Sequence, residues 1–233
     1  EPSSAEQPNQ LFDRSQVLDQ LRPPAHAPEF SRVFAARTCM MAGVGLTGVF
    51  LWYLVRFWVY GKAVVLTSAP LTIPAGFLIA GMAVATLIGA ALASWAAGPI
   101  SERIEEKNIP VARVVAGACL LYAIGLGLAW GLGVWSTGTA RENGMLLFAL
   151  ISGFAFGIYD SLGLELVMDS LPDPRRAGHD LGIYALANSA GLALAAIIGA
   201  LLVNAFEHSF GYYLLFPSAI VMVLLLSLIH ISE

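Results

Sequence analysis

The chain has 233 residues, of which 58% are hydrophobic and only 12% are charged, and its mean hydropathy is +0.74. A soluble domain is about 45–50% apolar and about 25% charged, so the composition excludes an ordinary water-soluble domain and indicates a membrane protein. The net charge of −4 arises from few, clustered charges and gives no sign of a nucleic-acid partner. The two cysteines, Cys39 and Cys119, both lie in apolar runs, which argues against a disulfide framework.

The first 31 residues are rich in Pro, Gln, Ser and acidic residues, and this composition predicts a polar, flexible linker on the cytoplasmic side. The chain begins with Glu1 and lacks, at this end, the short apolar run that a signal peptide needs. We therefore expect a piece of a longer protein whose front part is missing, with residues 32–233 forming a membrane domain.

Six apolar runs follow the linker, and each is close to the roughly 20 residues that a helix needs to cross about 30 Å of hydrocarbon. Apolar residues continue along each run without alternation, which excludes strands. Gly or Ala recurs at every fourth position in several runs, a pattern typical of helices that approach one another closely. The predicted spans cover residues 36–60, 71–97, 111–135, 145–167, 181–203 and 212–230.

Two polar segments predict loops between these spans. The first extends from Gly98 to Asn108 and joins the second span to the third. The second extends from Ser136 to Gly144, carries Arg141 and Glu142, and joins the third span to the fourth. Both are short, so we expect consecutive spans to run in opposite directions through the membrane.

A charged turn from Leu171 to Asp180 joins the fourth span to the fifth, and Asp180 stands where the N-cap of the fifth helix is expected. The side of the membrane that holds this turn would carry nine Lys or Arg residues, against three on the other side. Because cytoplasmic loops carry the excess of positive charge, this bias predicts that both ends of the chain are cytoplasmic. The nine are Arg14, Arg22, Arg32, Arg37, Arg103, Lys107, Arg113, Arg175 and Arg176.

Two carboxylates, Asp160 and Glu165, lie inside the fourth apolar run. Ionisable groups are costly in hydrocarbon and usually mark a pathway or a binding site. The two are five residues apart, about 140° around a helix, so they cannot both face the same neighbour. We predict that one of them lines a pathway for a polar substrate or a coupling proton, with the deeper Asp160 as the better candidate. The alternatives are hydrogen bonds to neighbouring helices and, for Glu165, contact with the cytoplasmic interface.

Three further polar side chains lie in the spans. Tyr159 and Tyr184 could hydrogen-bond a solute, although packing or anchoring at the interface is the favoured interpretation. Asn188 could bind a solute or bridge two helices, and this choice stays open. We find no nucleophile beside a histidine, no cluster of metal ligands and no phosphate-binding loop, so we predict no enzyme activity, no metal site and no cofactor.

Three stretches resemble segments of bacterial transporters of the major facilitator superfamily. Residues 28–37, with Pro28-Glu29-Phe30 and Phe34-Ala35-Ala36-Arg37, resemble the entry to the seventh helix. Gly98-Pro99-Ile100-Ser101-Glu102-Arg103 is similar to the loop motif between the eighth and ninth helices, although Glu102 replaces an aspartate and the paired basic residues that usually follow are absent. Residues 171–182, from Leu171-Pro172 to Asp180-Leu181-Gly182, resemble the turn between the tenth and eleventh helices.

The resemblance covers residues 28–226 and implies an all-α membrane protein whose six transmembrane helices form the C-terminal half of such a transporter, built as a 3+3 inverted repeat. The solute would bind midway through the bilayer while the two halves rock around it, so the implied partners are lipid and the missing N-terminal six-helix half. The implied gating residues are Gly98, Ser101, Glu102 and Arg103, with solvated loop charges as the alternative. The implied cytoplasmic turn contains Arg175, Arg176, Gly178 and Asp180.

The last eight residues, Leu226 to Glu233, resemble a translated sequencing adapter, so we expect the genuine sixth span to be cut short. The function predicted from these observations is secondary active transport of a small solute across the inner membrane by alternating access. Sugar uptake, efflux of drug-like compounds and coupling to protons all stay open. The alternatives are a sensor or interaction protein that keeps the fold without transporting, and, least favoured, an intramembrane enzyme.

Overall fold

The computed structural model describes residues 28–60, 72–135, 138–169, 177–206 and 208–231. Every long element in these ranges is an α-helix, and no strand occurs within them, which confirms the predicted all-α class. Residues 1–27 of the predicted linker, together with Arg175 and Arg176, lie outside the described residues. The six long helices are α1 (Pro28–Gly48), α2 (Thr72–Lys107), α3 (Val111–Trp135), α4 (Thr139–Asp169), α5 (Ala177–Ala205) and α6 (His208–Ile231).

Within the described ranges, five helical segments are long and apolar enough to cross a membrane. The sixth helix, α6, has 24 residues, of which Gly211–Leu225 form a shorter apolar segment. These helices account for the high apolar content of the chain and support a multi-pass membrane protein. The five are Phe30–Val59, Pro74–Lys107, Val111–Trp135, Thr139–Met168 and Gly178–Ala205.

The helices extend beyond the apolar runs, so the loop predicted from Gly98 to Asn108 is wrong. These residues form the last turns of α2, which contains Pro99 and continues to Lys107. The helix continues because Glu, Arg and Lys are good helix formers and because Ile104 is buried against the other helices. Gly98, Ser101, Glu102 and Arg103 are therefore helical residues.

Helix α2 ends in a C-terminal cap of the kind that glycine usually forms, with an asparagine at the glycine position. Asn108 has a φ of 49°, which is the left-handed conformation that Asn tolerates better than most residues. Its N–H donates to the Glu105 carbonyl at 3.2 Å, and the Ile109 N–H donates to the Ile104 carbonyl at 3.0 Å. These two bonds form a Schellman motif, and Pro110 then prevents the helix from continuing.

Two other helix starts differ from the predictions. Helix α4 begins at Thr139, so Arg141 and Glu142 lie in its first turn and not in a loop. Arg141 donates from Nη1 to the Trp58 carbonyl oxygen at 3.0 Å. Helix α5 begins at Ala177, which places Asp180 within its first turn and makes the predicted N-cap position wrong. An acidic residue in a first turn still interacts favourably with the helix dipole.

The first span is not a single regular helix. Helix α1 begins at Pro28, inside the segment that was assigned to the linker, and a turn at Val49 and Phe50 ends it. The chain continues as one helical turn, Leu51–Tyr53, and then as a π-helix, Leu54–Val59. The π-helix buries four side chains, Leu54, Val55, Trp58 and Val59.

The packing pattern divides the six helices into two related sets of three. Helix α4 packs against α2 and α3, while α1 packs against α5 and α6. Exchanging α1–α3 for α4–α6 converts each of these pairs into another observed pair and maps the α3–α6 contact onto itself, whereas the smaller α5–α6 contact has no counterpart of similar extent between α2 and α3. Equivalent helices are three passages through the membrane apart along the chain, so they run in opposite directions. The contacts thus follow the 3+3 inverted arrangement.

The α2–α4 and α1–α5 crossings use small residues at matching positions, which confirms the predicted role of the Gly/Ala stripes. A Cβ added to Gly89 would collide with the Leu150 carbonyl oxygen of α4. A Cβ added to Gly191 would lie 2.6 Å from the Thr38 carbonyl oxygen of α1. One turn further on, both crossings place glycine against alanine: Gly157 against Ala93, and Gly45 against Ala195.

Candidate functional site

The polar centre of the helix bundle is Arg37, a residue of α1 whose side chain is only 10% exposed. Because α1 begins at Pro28, Arg37 lies more than two turns inside the helix and cannot be counted among the residues at its end. A guanidinium group stays protonated in proteins, and burying it is costly unless it is paired. The surroundings of Arg37 therefore have to supply negative charge and hydrogen-bond acceptors.

Arg37 joins three helices through its hydrogen bonds. Its Nη1 donates to Oδ1 of Asp160 on α4 at 2.8 Å, which is also an ion pair. Its Nε donates to Oδ1 of Asn188 on α5 at 2.7 Å. Asn188 thus bridges helices, one of the two roles that the sequence left open. Asp160 hydrogen-bonds a neighbouring helix, which was the alternative interpretation of this carboxylate, and its charge is balanced by Arg37.

Three aromatic rings surround the guanidinium group. Its central carbon lies 5.4 Å from the ring centre of Tyr159, 5.7 Å from that of Tyr184 and 5.8 Å from that of Phe156. Rings within about 6 Å of a cation attract it through their negative faces, and the attraction strengthens when water is excluded. The two tyrosines therefore pack against Arg37, and the rings cover the part of the cation that the carboxylate does not.

The cluster lies deep in the bundle. Arg37 and Asn188 are nine and eleven residues after the starts of their helices, and Asp160 is nine residues before the end of α4. At 1.5 Å per residue these positions are roughly 13–17 Å from the helix ends. Each of the three residues lies within a helical segment that is long and apolar enough to cross a membrane.

A cavity of about 410 Å³ borders the cluster on the side of Asp160. Its wall includes residues of α1, α2, α3 and α4, and Asp160 contributes a side chain that is 55% exposed. A second cavity of about 280 Å³ adjoins it and is lined mainly by apolar residues. The two share four wall residues: Val44, Thr86, Tyr122 and Ser152.

The structure brings together three of the four predicted pathway residues, Asp160, Tyr159 and Asn188, and adds Tyr184 to them. The fourth, Glu165, is exposed and belongs neither to the cluster nor to the walls of these two cavities. Sequence reasoning missed Arg37 as a functional residue because it was assigned to the edge of the span. The signal was available, since a basic residue inside one apolar helix is expected to pair with an acidic residue inside another.

The residues of the other predicted motifs are separate from this cluster. Glu102 and Arg103 are both exposed on the last turns of α2. Gly178 is exposed near the start of α5, whereas Asp180 is buried and its Oδ1 lies 3.1 Å from Nδ1 of His179. In the described part of the chain, no group of three or more His, Cys, Asp or Glu side chains could hold a metal ion.

Comparison with known proteins places this architecture in a family. The family model described as Major Facilitator Superfamily matches residues 75–232, which begin in α2 and include α3 to α6. No curated protein and no solved structure matches the chain. The matched region covers more than half of the sequence, and the long apolar helices fit the membrane fold of this family. The chain belongs to the Major Facilitator Superfamily.

Proposed function

We propose that this chain forms one half of a secondary active transporter that moves a small solute across the cytoplasmic membrane by alternating access. The observation that carries the proposal is the position of Asp160. Its side chain is 55% exposed although it lies roughly 13 Å from the nearer end of its helix at 1.5 Å per residue. A carboxylate cannot face hydrocarbon at that depth without a large cost. Water, a polar solute or another protein surface must therefore cover it.

A solute pathway satisfies this requirement. Transporters of this architecture bind their solutes near the middle of the bilayer, between two packed sets of helices. In this chain the walls of the adjoining cavities come from four helices, and Asp160 borders the larger one. We propose that the cavity is one side of the binding site. A second six-helix half would supply the other side and would cover Asp160.

The Arg37–Asp160 pair is well placed to respond to the solute. It connects α1 to α4, and the Asn188 hydrogen bond extends the connection to α5. A bound solute that interacts with Asp160 would change the balance of contacts among these three helices. We propose that this change is coupled to the rocking of the two halves, and that both chain ends face the cytoplasm.

The test is solute flux in proteoliposomes that contain the protein expressed from its complete reading frame. A panel of sugars, organic cations and organic anions is presented, and uptake is compared for the unmodified protein, Asp160→Asn and Arg37→Gln. Glu106→Gln is the control, because Glu106 is exposed near the end of α2. We expect at least a tenfold loss of uptake for the first two variants and none for the control. Absence of flux for every solute, or flux that neither variant affects, would overturn the proposal.

Proton coupling requires a separate measurement. If Asp160 carries the coupled proton, Asp160→Asn should abolish solute-dependent acidification or alkalinisation of the vesicle lumen, followed with a trapped pH dye. Exchange of labelled for unlabelled solute should persist in the same vesicles because it needs no net proton movement. Uptake whose rate and pH dependence both survive the substitution would show that Asp160 is not the proton carrier.

A further inference from the structure

We propose that the solute is an organic cation with an apolar body, and that its positively charged, hydrogen-bond-donating group is bound at Asp160. This inference rests on the transport role proposed above and narrows the class of solute. Three observations support it. The hydroxyl groups around the larger cavity already donate their protons within the protein, and the negative charge of the ion pair is more exposed than the positive charge. The adjoining cavity has an apolar lining.

The hydroxyl groups in the cavity wall can accept hydrogen bonds but have already used their protons. A hydroxyl has one proton to donate and two lone pairs. Each serine or threonine hydroxyl in this wall donates its proton to a carbonyl oxygen three or four residues earlier in its own helix, a common arrangement. The bonds are Thr86 to Met82 at 2.9 Å, Ser94 to Ala90 at 3.1 Å, Ser152 to Ala149 at 3.0 Å and Ser161 to Gly157 at 2.8 Å. What these four side chains offer to a solute is therefore lone pairs.

Tyr122 is the remaining hydroxyl in the wall, and it does not change this balance. Its side chain is buried and its hydroxyl interacts with the side chain of Thr47. The Thr47 hydroxyl donates to the Val44 carbonyl oxygen at 3.1 Å, so its lone pairs are the groups that face Tyr122. The phenol proton is then used within the protein.

The two charges of the ion pair differ sharply in their exposure to the cavity. The Arg37 side chain is 10% exposed, while that of Asp160 is 55% exposed and lines the cavity. Arg37 donates to Asp160 and Asn188 and is surrounded by three aromatic rings. In the described part of the chain, the second carboxylate oxygen of Asp160 accepts no hydrogen bond. The charge that a solute meets is therefore negative.

The adjoining cavity favours an apolar group in the part of the solute that is not bound at Asp160. It is lined by apolar side chains that include Leu51, Ile79 and Phe148, and it shares part of its wall with the cavity at Asp160. Apolar groups gain about 25 cal/mol for each Å² removed from water, so an apolar body would be stabilised there. A sugar would leave this region poorly filled and would find few donors, and an organic anion would face the Asp160 carboxylate directly.

The experiment compares four naphthalene probes of similar size that differ in their head group. They are 2-(1-naphthyl)ethylamine, its trimethylammonium derivative, 2-(1-naphthyl)ethanol and 3-(1-naphthyl)propionic acid. Binding to the chain in lipid nanodiscs is measured by equilibrium dialysis. We expect the protonated amine to bind at least tenfold more tightly than the alcohol, the trimethylammonium probe to fall between them, and the acid to bind most weakly. Equal binding of amine and alcohol, or tighter binding of the acid, would overturn the inference.

Substitutions locate the effect within the cavity. Asp160→Asn should lower the affinity for the amine at least tenfold while leaving that for the alcohol unchanged, and the unchanged alcohol affinity would show that the cavity is still folded. Thr86→Val should weaken binding of the amine but not of the trimethylammonium probe, because only the amine can donate to the Thr86 oxygen. Glu106→Gln should affect none of the probes. An Asp160→Asn protein that binds alcohol and amine as before would refute the assignment to Asp160.

The two proposals can fail separately. If the protein from the complete reading frame transports a sugar or an anion but not the amine, the transport role stands and the cation inference fails. If the amine binds in an Asp160-dependent manner but no solute in the panel is moved, the cation site stands and the transport role fails.

Discussion

Removing both charges of the Arg37–Asp160 pair should destabilise the protein by less than the sum of the two single removals. Asp160→Asn leaves a guanidinium that is 10% exposed without its counter-ion, and breaking a buried pair in this way costs about 3–5 kcal/mol. We expect the lower end, about 3 kcal/mol, because the Asn188 hydrogen bond and the three ring contacts remain. Arg37→Gln loses those contacts as well but leaves behind a carboxylate that is 55% exposed.

The magnitude of the coupling follows from the geometry of the pair. Hydrogen bonds to charged groups contribute about 1.5–3 kcal/mol, and the Nη1–Oδ1 distance of 2.8 Å is typical of a strong one. The exposure of Asp160 lets water screen part of the attraction, so we expect a coupling free energy of about 2 kcal/mol from a double-mutant cycle.

The assay is reversible unfolding in mixed micelles, applied to Arg37→Gln, Asp160→Asn and the double variant. The control is a second cycle that combines Arg37→Gln with Glu106→Gln. The effects of these two substitutions on the free energy of unfolding should add to within about 0.5 kcal/mol. Effects of Arg37→Gln and Asp160→Asn that also add to within this limit would refute the idea that the pair contributes to stability as a unit.

Three further predictions concern the packing, one helix end and the solvent. Gly153→Ala should lower the free energy of unfolding by about 1–3 kcal/mol, because its Cβ would collide with the Thr86 carbonyl oxygen. Gly163 has open space around it, so Gly163→Ala should raise the free energy of unfolding by up to about 1 kcal/mol. Effects of the same sign for the two substitutions would contradict the packing argument. Asn108→Ala should cost about 1–2 kcal/mol because of its φ of 49°, while Asn108→Gly should be tolerated, and equal stability of the two would count against the cap. Finally, light scattering should detect aggregation when detergent is removed, and a folded, monodisperse chain in plain buffer would refute the membrane assignment.

The positions of the helices could largely be predicted from the sequence, but their ends could not. Apolar content indicates where lipid can surround the chain, and each predicted span overlaps one of the long helices. It does not fix where a helix stops, because Glu102, Arg103 and Lys107 form helices readily in water and extend α2 beyond the apolar run. Helix α1 likewise begins at Pro28, eight residues before the predicted start of the first span.

Individual residues of the site could be predicted from the sequence, but the contacts among them could not. Asp160, Tyr159 and Asn188 could be proposed because polar groups within apolar helices are costly. Their meeting point depends on which helices are neighbours, and that is decided by the crossings of α1 with α5 and of α2 with α4. Arg37 was missed because the predicted span began one residue before it, so its charge was attributed to the interface.

The matching glycine crossings have a consequence for the synthesis of the protein. Helices α1, α2 and α3 make few contacts with one another, and each packs chiefly against a helix of the second set. As the ribosome releases the chain, the first three helices would enter the bilayer without their partners and remain separate there. The buried guanidinium of Arg37 would gain both of its acceptors only after α4 and α5 have been inserted, so α1 should join the bundle late in assembly.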